Sequence, residues 1–292
     1  AVKIAKKING EIINADSMQV YKKLKILTAR PSKKEQKNIK HHMYGVIDLN
    51  KKFSTGQWLK TAIKIIKNIQ QRKKIPILVG GTGLYFQSLI NGLVKIPEIP
   101  FKIRKKVRLM QQKEGQKKFY KKLIKIDSKV KEKLDPNDSQ RSIRAYEIKY
   151  YTKISMYDWL TQTKSEFNEN EFIKLYIDFK RKKLIERISA RTFKMIEEGA
   201  INEVKKFIKL KINKDHSVKK VIGIDELTQY LKSQIDLNKA QELITIKTRQ
   251  YAKRQATWAR TRMVSWKKIS PVKISDYIKR LNKSSLKLDQ LT

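Results

Sequence analysis

The sequence has 292 residues, contains no cysteine and carries 69 Lys and Arg against 27 Asp and Glu, a formal net charge of +42 at pH 7. The absence of cysteine excludes disulfides, thiolate metal sites and a cysteine nucleophile, and no apolar run approaches the roughly 18 residues of a membrane span. This cationic excess favours a polyanionic partner such as nucleic acid, although the drift of an AT-rich genome towards lysine would also give an ordinary basic protein.

The length allows one large domain or two modest ones. The sequence shows no signal peptide, so we expect a cytoplasmic, soluble protein without a membrane partner. We also expect a monomer.

The chain opens with a helical pattern at residues 1–8, which stops at Asn9-Gly10, and continues with an apolar strand at residues 11–15. Asp16 follows this strand directly. A carboxylate in such a position forms a turn, caps a helix or acts as a catalytic base, and the local sequence does not choose among the three roles.

A second helix and strand follow the first pair. Ser54 or Thr55 can cap the helix, and its apolar positions have helical spacing: Trp58, Ala62, Ile66 and Ile69. The sequence IPILVGG (75–81) is typical of a buried strand, and LYFQSLI (84–90) is helical. Buried strands separated by helices predict a parallel α/β sheet.

Beyond Pro100 the pattern changes to lysine-rich helix without strands over residues 101–165, which predicts an inserted all-helical subdomain at 101–169. FIKLYIDF (172–179) is predicted to be a strand that returns to the sheet. Long helical patterns cover 181–210 and 238–262, and the last thirty residues have no assignment. The α/β core is thus predicted to comprise residues 1–100 and 170–292.

The sequence VGGTGLYF (79–86) leads from a strand through glycines into a helix. Such a turn presents backbone N–H groups and the positive helix end to an anion, with Thr82 at its mouth. The alternative is a tight turn that requires glycine for steric reasons only. The motif is neither GxGxxG nor a Walker loop, because it has no lysine.

Two basic segments are candidates for phosphate contacts. Arg141 and Arg144 lie three residues apart on one helical face, and they either bind phosphates or are solvated surface. Residues 246–266 interleave cations with Tyr251 and Trp258, a combination that suits an RNA backbone with unstacked bases; Trp258 is alternatively a core residue. His41-His42 has no further ligand at metal-binding spacing, so a structural role is favoured over a metal site.

Five motifs in this order resemble the tRNA dimethylallyltransferase family, also called tRNA isopentenyltransferases, in its bacterial form: GEIINADSMQVY, HHMYGVID, PILVGGTGLYFQSLINGL, NDSQRSIRAYEI and TRQYAKRQATWAR. The resemblance covers roughly residues 1–266. It implies transfer of a dimethylallyl group from dimethylallyl diphosphate to N6 of adenosine 37 in tRNA, with Mg²⁺ assisting the diphosphate. It also implies a fold like P-loop nucleotide kinases, with the helical insertion binding the anticodon stem-loop.

The resemblance also assigns site residues. Asp16 corresponds to the general base and Thr82 to a hydroxyl near the transfer site. Expected tRNA contacts are Asp16, Ser17, Met18, Gln19, Thr82, Arg104, Gln140, Arg141, Ser142, Ile143, Arg144, Arg254, Gln255, Ala256, Thr257, Trp258, Ala259, Arg260 and Thr261. No protein metal ligand is assigned.

Two departures from the family pattern alter these expectations. Ile224 and Asp225 replace a tyrosine and a basic residue that commonly follow the glycine of this segment, which argues against a phosphate contact there. The family's phosphate loop, GPTxSGK[ST], is expected directly before residue 1 and is absent, and the chain begins with Ala. We therefore expect a truncated reading of an active enzyme, which would bind tRNA and transfer little.

Two other functions remain open on the sequence. One is an adenylate isopentenyltransferase, against which the basic helical insertion and the high net charge argue. The other is a non-catalytic tRNA-binding protein that lacks the phosphate loop.

Overall fold

The computed structural model describes residues 1–212 and 216–281. In chain order, its helices and strands are α1 (Val2–Ile8), β1 (Gly10–Asn14), α2 (Lys33–Gln36), β2 (His41–His42), α3 (Thr55–Gln71), β3 (Ile75–Val79), α4 (Gly83–Asn91), α5 (Phe101–Ile126), α6 (Val130–Lys133), α7 (Ser139–Thr152), α8 (Met156–Thr161), β4 (Leu175–Ile177), α9 (Arg181–Glu197), α10 (Ala200–Ile208), α11 (Ile224–Leu231), α12 (Leu237–Arg262), β5 (Lys267–Ile269) and α13 (Ile274–Arg280). Short 3-10 helices occupy Glu169–Glu171 and Ser217–Lys220.

A three-stranded parallel sheet in the order β2-β1-β3 organises the first part of the chain. Ile12 of the central strand lies opposite His41 on one side and Ile77 on the other. All five residues of β1 are buried, as the apolar pattern of this segment predicts. The parallel α/β class is confirmed.

The helices next to this sheet begin and end where the sequence predicts. The first ends at Asn9, whose φ of 53° is the left-handed conformation typical of a helix end. Ser54 caps α3 through a reciprocal capping box with Gln57. The four apolar residues of α3 that follow helical spacing are all buried: Trp58, Ala62, Ile66 and Ile69. The helix packs against β1 and β3.

By their internal contacts the described residues form two compact units, one comprising Ala1–Ser88 and the described residues from Glu169 onward, the other Leu89–Asn168. The main core of the first unit joins the loop after β1 to α10, α11 and α12. Its members include Val20, Leu24, Leu27, Val204, Phe207, Leu227 and Ile244. Glu203 strengthens this junction, because its carboxylate accepts hydrogen bonds from three successive N–H groups, those of residues 25–27.

All the regular elements of the second unit, Leu89–Asn168, are helices. Its core packs α5 against α7 around Tyr120, Leu123 and Ala145. The helical insertion was predicted to begin at residue 101, twelve residues after the first residue of this unit. Its assignment as a separate domain stays a prediction.

Three features of the second half differ from the sequence predictions. The predicted strand at 172–179 is reduced to β4, and it pairs in parallel with β5 instead of joining the three-stranded sheet. The partner strand was missed because it is three residues long and begins with two lysines. The predicted helix at 181–210 is two helices, because Gly199 adopts a φ of 97° between them.

The unassigned last thirty residues contain β5 and α13, and residues 282–292 lie outside the described part of the chain. Within the described residues, none of the helices combines the length and the apolar character that crossing a bilayer demands.

Candidate active site

The candidate site lies where the carboxyl ends of β1 and β3 meet. Ala15 N–H donates to the Val79 carbonyl (2.8 Å), and Thr82 N–H donates to the Ala15 carbonyl (3.1 Å). The Thr82 hydroxyl in turn accepts a hydrogen bond from Ser17 N–H (3.0 Å). These bonds continue the strand pairing past both strand ends. Asp16 and Thr82, which come from separate sequence motifs, are therefore neighbours.

The Asp16 side chain is half-buried and uses one carboxylate oxygen to form a turn. Oδ1 accepts hydrogen bonds from the backbone N–H groups of Met18 (2.8 Å) and Gln19 (3.2 Å). Across residues 1–212 and 216–281, no hydrogen-bond donor reaches Oδ2. The turn-forming interpretation is confirmed, and the geometry leaves one oxygen available to a substrate proton.

Asn14, the last residue of β1, holds the backbone of Asp16 in place. Its Oδ1 accepts from Asp16 N–H (2.9 Å), while its Nδ2 donates to the carbonyls of Asp16 (3.0 Å) and Met43 (3.1 Å). The Asn14 carbonyl accepts a hydrogen bond from the buried indole of Trp58 (2.8 Å). Sequence analysis missed this residue, although a polar side chain at the end of a buried strand is the signal that could have revealed it.

The glycine turn between β3 and α4 lies in close contact with the backbone of Ala15 and Asp16. A Cβ atom on Gly80 would lie 2.1 Å from the Ala15 carbonyl carbon and 2.7 Å from Asp16 N. The steric interpretation of this glycine is therefore correct, because no side chain fits between the two strand ends. The same contact brings the turn against the backbone that carries Asp16.

Helix α12 covers the other side of the glycine turn. The Gln255 side-chain amide donates to the Gly81 carbonyl (2.9 Å). The indole nitrogen of Trp258 lies 2.1 Å from where a Cβ on Gly83 would be, and this nitrogen is buried without a hydrogen-bond partner among the described residues. The basic-aromatic segment thus packs on the turn that contains Thr82.

The predicted RNA-contacting residues of α12 divide by exposure. Arg254, Thr257, Arg260 and Thr261 are exposed, Gln255, Ala256 and Trp258 are half-buried, and Ala259 is buried. The side chain of Ala259 is therefore not available for a direct contact. The Arg254 guanidinium lies 5.6 Å from the centre of the Tyr251 ring, a spacing that permits a cation–π interaction.

Three tyrosines and one arginine lie within electrostatic range of Asp16. Burial raises the pKa of Tyr44 to about 12, and the negative charge of Asp16 adds to this shift. Burial, followed by the charge of Asp16, also raises the pKa of Tyr251. Burial is likewise the largest cause that raises the pKa of Tyr85, followed by Tyr21 and then Asp16. These phenols stay protonated at neutral pH. Tyr85 is buried against Trp58, so its hydroxyl is closed to a substrate.

Arg191 is the cation of this group. Burial lowers the pKa of its guanidinium, while Asp16 opposes that shift. The guanidinium donates to the Leu27 carbonyl (3.2 Å). Sequence analysis named Tyr251 in the basic-aromatic segment but gave no role to Arg191, Tyr44 or Tyr85, because their proximity to Asp16 arises only in the folded chain.

The family model described as IPP transferase matches residues 19–262. The chain belongs to the IPP transferase family. The tRNA dimethylallyltransferase of Pelagibacter ubique is 76% identical to it over 292 residues, which are all of this chain and 93% of that protein. Family membership makes this protein a transferase.

Two solved structures are similar to this IPP transferase over nearly its whole length. The full-length tRNA isopentenylpyrophosphate transferase of Bacillus halodurans is 32% identical with a TM-score of 0.68, covering 99% of this chain and 92% of that one. A eukaryotic dimethylallyltransferase acting on tRNA has a TM-score of 0.82 at 28% identity, covering 98% and 73%. The resemblance inferred from five motifs is therefore confirmed.

In the helical unit of the IPP transferase, the predicted RNA contacts also differ in exposure. Arg141 and Gln140 are exposed, whereas Ser142 is buried and accepts a hydrogen bond from Gln116 (3.0 Å), so its side chain is closed to RNA. Arg141 pairs with Asp138 (3.5 Å), and Arg144 pairs with the buried Glu147 (3.5 Å). Ile143 is half-buried, and Arg104 keeps a buried Nε without a partner among the described residues.

His41 and His42 make structural contacts at the end of the sheet opposite the candidate active site. His42 donates to the buried carboxylate of Glu11 (2.7 Å), which also binds Arg72 through both oxygens (2.5 and 2.8 Å) and Lys74 (3.0 Å). His41 Nδ1 lies 2.7 Å from the Ile39 carbonyl. The described residues contain no group of three His, Cys, Asp or Glu side chains arranged for a metal.

The segment that departs from the family pattern forms the start of α11. Ile224 is buried in the core, and Asp225 is exposed in the first helical turn. The neighbouring Glu226 is buried, accepts a hydrogen bond from Gly223 N–H (2.8 Å) and forms an ion pair with Lys247. The segment around Ile224 and Asp225 therefore forms the beginning of α11.

Proposed function

We propose that this IPP transferase moves a dimethylallyl group from dimethylallyl diphosphate to N6 of adenosine 37 in tRNA. The names of its relatives support this assignment. The observation that carries it is a half-buried aspartate whose Oδ2 accepts no hydrogen bond from the described residues, held beside a threonine hydroxyl at the end of the central strand.

Alkylation of an adenine N6 amine requires a base, because the nitrogen lone pair is delocalised into the ring. In the proposed reaction, Asp16 Oδ2 accepts a proton from N6 as the bond between N6 and the allylic carbon forms. The bond between that carbon and the diphosphate oxygen breaks with its electron pair, and diphosphate leaves. A positioned base of this kind accelerates a reaction by about 10²–10⁴-fold.

The residues around Asp16 are proposed to frame the adenine and the donor. Ser17, Met18 and Gln19 follow the base in a turn whose N–H groups are directed to Asp16 and Thr82. An adenine must leave its stack to reach a carboxylate at a strand end. The Thr82 hydroxyl is proposed to orient the amine or a diphosphate oxygen.

Mg²⁺ is the proposed metal of the diphosphate donor. The hydroxyl oxygens of Ser17 and Thr82, 3.3 Å apart, offer hard oxygen ligands of the kind that Mg²⁺ uses beside substrate phosphates. The residues present therefore fit an ion carried mainly by the diphosphate. When bound, Mg²⁺ would stabilise the negative charge of the leaving diphosphate.

Because tRNA is the proposed substrate, we place the reaction in the cytoplasm. Transfer is tested by incubating unmodified tRNA with dimethylallyl diphosphate, Mg²⁺ and the protein expressed from its complete reading frame, followed by mass spectrometry of the nucleosides. We expect N6-dimethylallyladenosine in the anticodon loop. Product on free AMP alone would indicate an adenylate isopentenyltransferase, and tRNA binding without product would indicate a non-catalytic RNA-binding protein.

The arginines of α7 give a prediction for tRNA binding. Replacing Arg141 and Arg144 by Ala together should flatten the dependence of log Kd on log salt by about 0.7–0.9 for each lost phosphate contact. The measurement is tRNA affinity at four or more salt concentrations.

Lys121→Ala with Lys125→Ala is the matched control, because it removes two exposed charges from the neighbouring α5. We expect its slope to equal that of the unmodified protein. Equal slopes for all three proteins would show that the two arginines are solvated surface.

A further inference from the structure

Gln255 belongs to the segment expected to contact RNA, yet its side chain is directed into the protein. It is half-buried, and its amide nitrogen donates to the Gly81 carbonyl at 2.9 Å. A Cβ on Gly81 would lie 2.1 Å from this same nitrogen. The amide and the turn are therefore in direct contact, and a side chain at Gly81 would displace the Gln255 amide from its present position.

Thr82 is the residue that links the Gln255–Gly81 contact to the candidate active site. Thr82 follows Gly81, its N–H donates to the Ala15 carbonyl, and its hydroxyl accepts from Ser17 N–H. These two bonds depend on the orientation of the peptide between Gly81 and Thr82. The Gln255 amide holds the carbonyl at position 81, which is one peptide away from the Thr82 hydroxyl.

We propose that Gln255 is a positioning residue, which fixes the Gly81–Thr82 turn and thereby the Thr82 hydroxyl for the transfer step. This inference rests on the proposed function. It assigns different roles to neighbouring residues of α12: the exposed Arg254 and Arg260 are available to RNA, while the inward-facing Gln255 holds the catalytic turn.

A glutamine suits this task because its side chain can donate to a carbonyl. Glutamate has the same shape but only accepts when ionised, so it would place a negative charge against the Gly81 carbonyl. Alanine removes the hydrogen bond that holds the Gly81 carbonyl. Both substitutions should displace Thr82, and a displacement of about 1 Å in a catalytic group lowers rates by up to about 100-fold.

The test compares Gln255→Ala and Gln255→Glu with Arg260→Ala. We expect both Gln255 variants to lower the single-turnover transfer rate by about 10–100-fold while the tRNA Kd and its salt slope are unchanged. Arg260→Ala should show the reverse, a weaker and less salt-dependent tRNA affinity. A Gln255 variant that weakens tRNA binding in parallel with the rate would identify an RNA contact and overturn the proposal.

A double-mutant cycle tests the route through Thr82. If Gln255 acts through that hydroxyl, Thr82→Ala with Gln255→Ala should be no slower than Thr82→Ala alone. Additive losses would contradict this route. Circular dichroism and Tm identify a variant that fails to fold, in which case the isosteric Gln255→Glu replaces the alanine.

Amide hydrogen exchange separates this inference from the proposed function. The Thr82 amide, which donates to Ala15, should exchange faster in Gln255→Ala than in the unmodified protein, whether or not the protein is active. A protein that makes no dimethylallyladenosine would refute the proposed function only. Unchanged exchange at Thr82 would refute the positioning role.

Discussion

Replacing Asp16 by Asn is expected to lower the rate of dimethylallyl transfer by at least about 100-fold, the lower end of the loss for a general base. The asparagine side chain keeps an oxygen that can accept from Met18 and Gln19 N–H, so the turn after β1 should survive. It has no carboxylate oxygen to take the N6 proton. We therefore expect tRNA affinity to stay within a few-fold.

The measurement is single-turnover transfer with saturating dimethylallyl diphosphate, alongside tRNA binding. Asp276→Asn is a suitable control, because it removes an exposed carboxylate from the first turn of α13. A near-normal transfer rate for Asp16→Asn would show that another group removes the proton.

The second large expected effect is a loss of stability when Glu11 is replaced, at the end of the sheet opposite Asp16. Replacing Glu11 by Gln should lower the free energy of unfolding at pH 7 by about 1.5–3 kcal/mol, the range for hydrogen bonds to charged groups. The carboxylate is 1% exposed, while the partner side chains of Arg72 and Lys74 are 36% and 37% exposed. Because these partners keep part of their hydration, we expect less than the cost of breaking a fully buried pair.

The same carboxylate predicts a pH dependence. Hydrogen bonds from Arg72, His42 and Lys74 hold the pKa of Glu11 well below its ordinary value. Its stabilising contribution is thus complete above the unfolded pKa of about 4.3 and is lost as the pH falls towards the folded pKa. The difference between the native protein and Glu11→Gln should shrink below about pH 4.

Chemical denaturation at pH 7, 4 and 3 measures both effects. Asp48→Asn is the contrasting control, since Asp48 forms a surface pair with Lys22 (3.0 Å) in which both side chains are 49% exposed. Such an exposed pair contributes little to stability. A loss for Glu11→Gln no larger than that of the control would contradict the buried-network interpretation.

The predictable parts of this fold are those with a local physical cause. Helix α3 was predicted from its capping residue and the spacing of Trp58, Ala62 and Ile66, because a cap and an amphipathic period are both encoded within a few residues. Asp16 and Thr82 were assigned through the family resemblance, because each lies within one of its short motifs, GEIINADSMQVY and PILVGGTGLYFQSLINGL. Each of these signals lies within one short segment.

The unpredicted parts depend on residues that are distant in sequence. The pairing of β4 with β5 joins segments about ninety residues apart, and each strand is too short to show a period of two. The hydrogen bond from Gln255 to Gly81 spans 174 residues. Neither has a local signal, and the family resemblance assigned all of residues 254–261 to tRNA contact, including Gln255, which faces inward.

The contact at Gly80 affects how substitutions among IPP transferases should be interpreted. Even alanine would place its Cβ 2.1 Å from a main-chain carbon of Ala15, so packing alone fixes glycine at this position. An invariant glycine there would be no evidence of anion binding, because a relative that had lost all activity would still require it. Thr82 is under no such steric restriction, so replacement of that threonine in an otherwise similar chain would be the informative sign of lost catalysis.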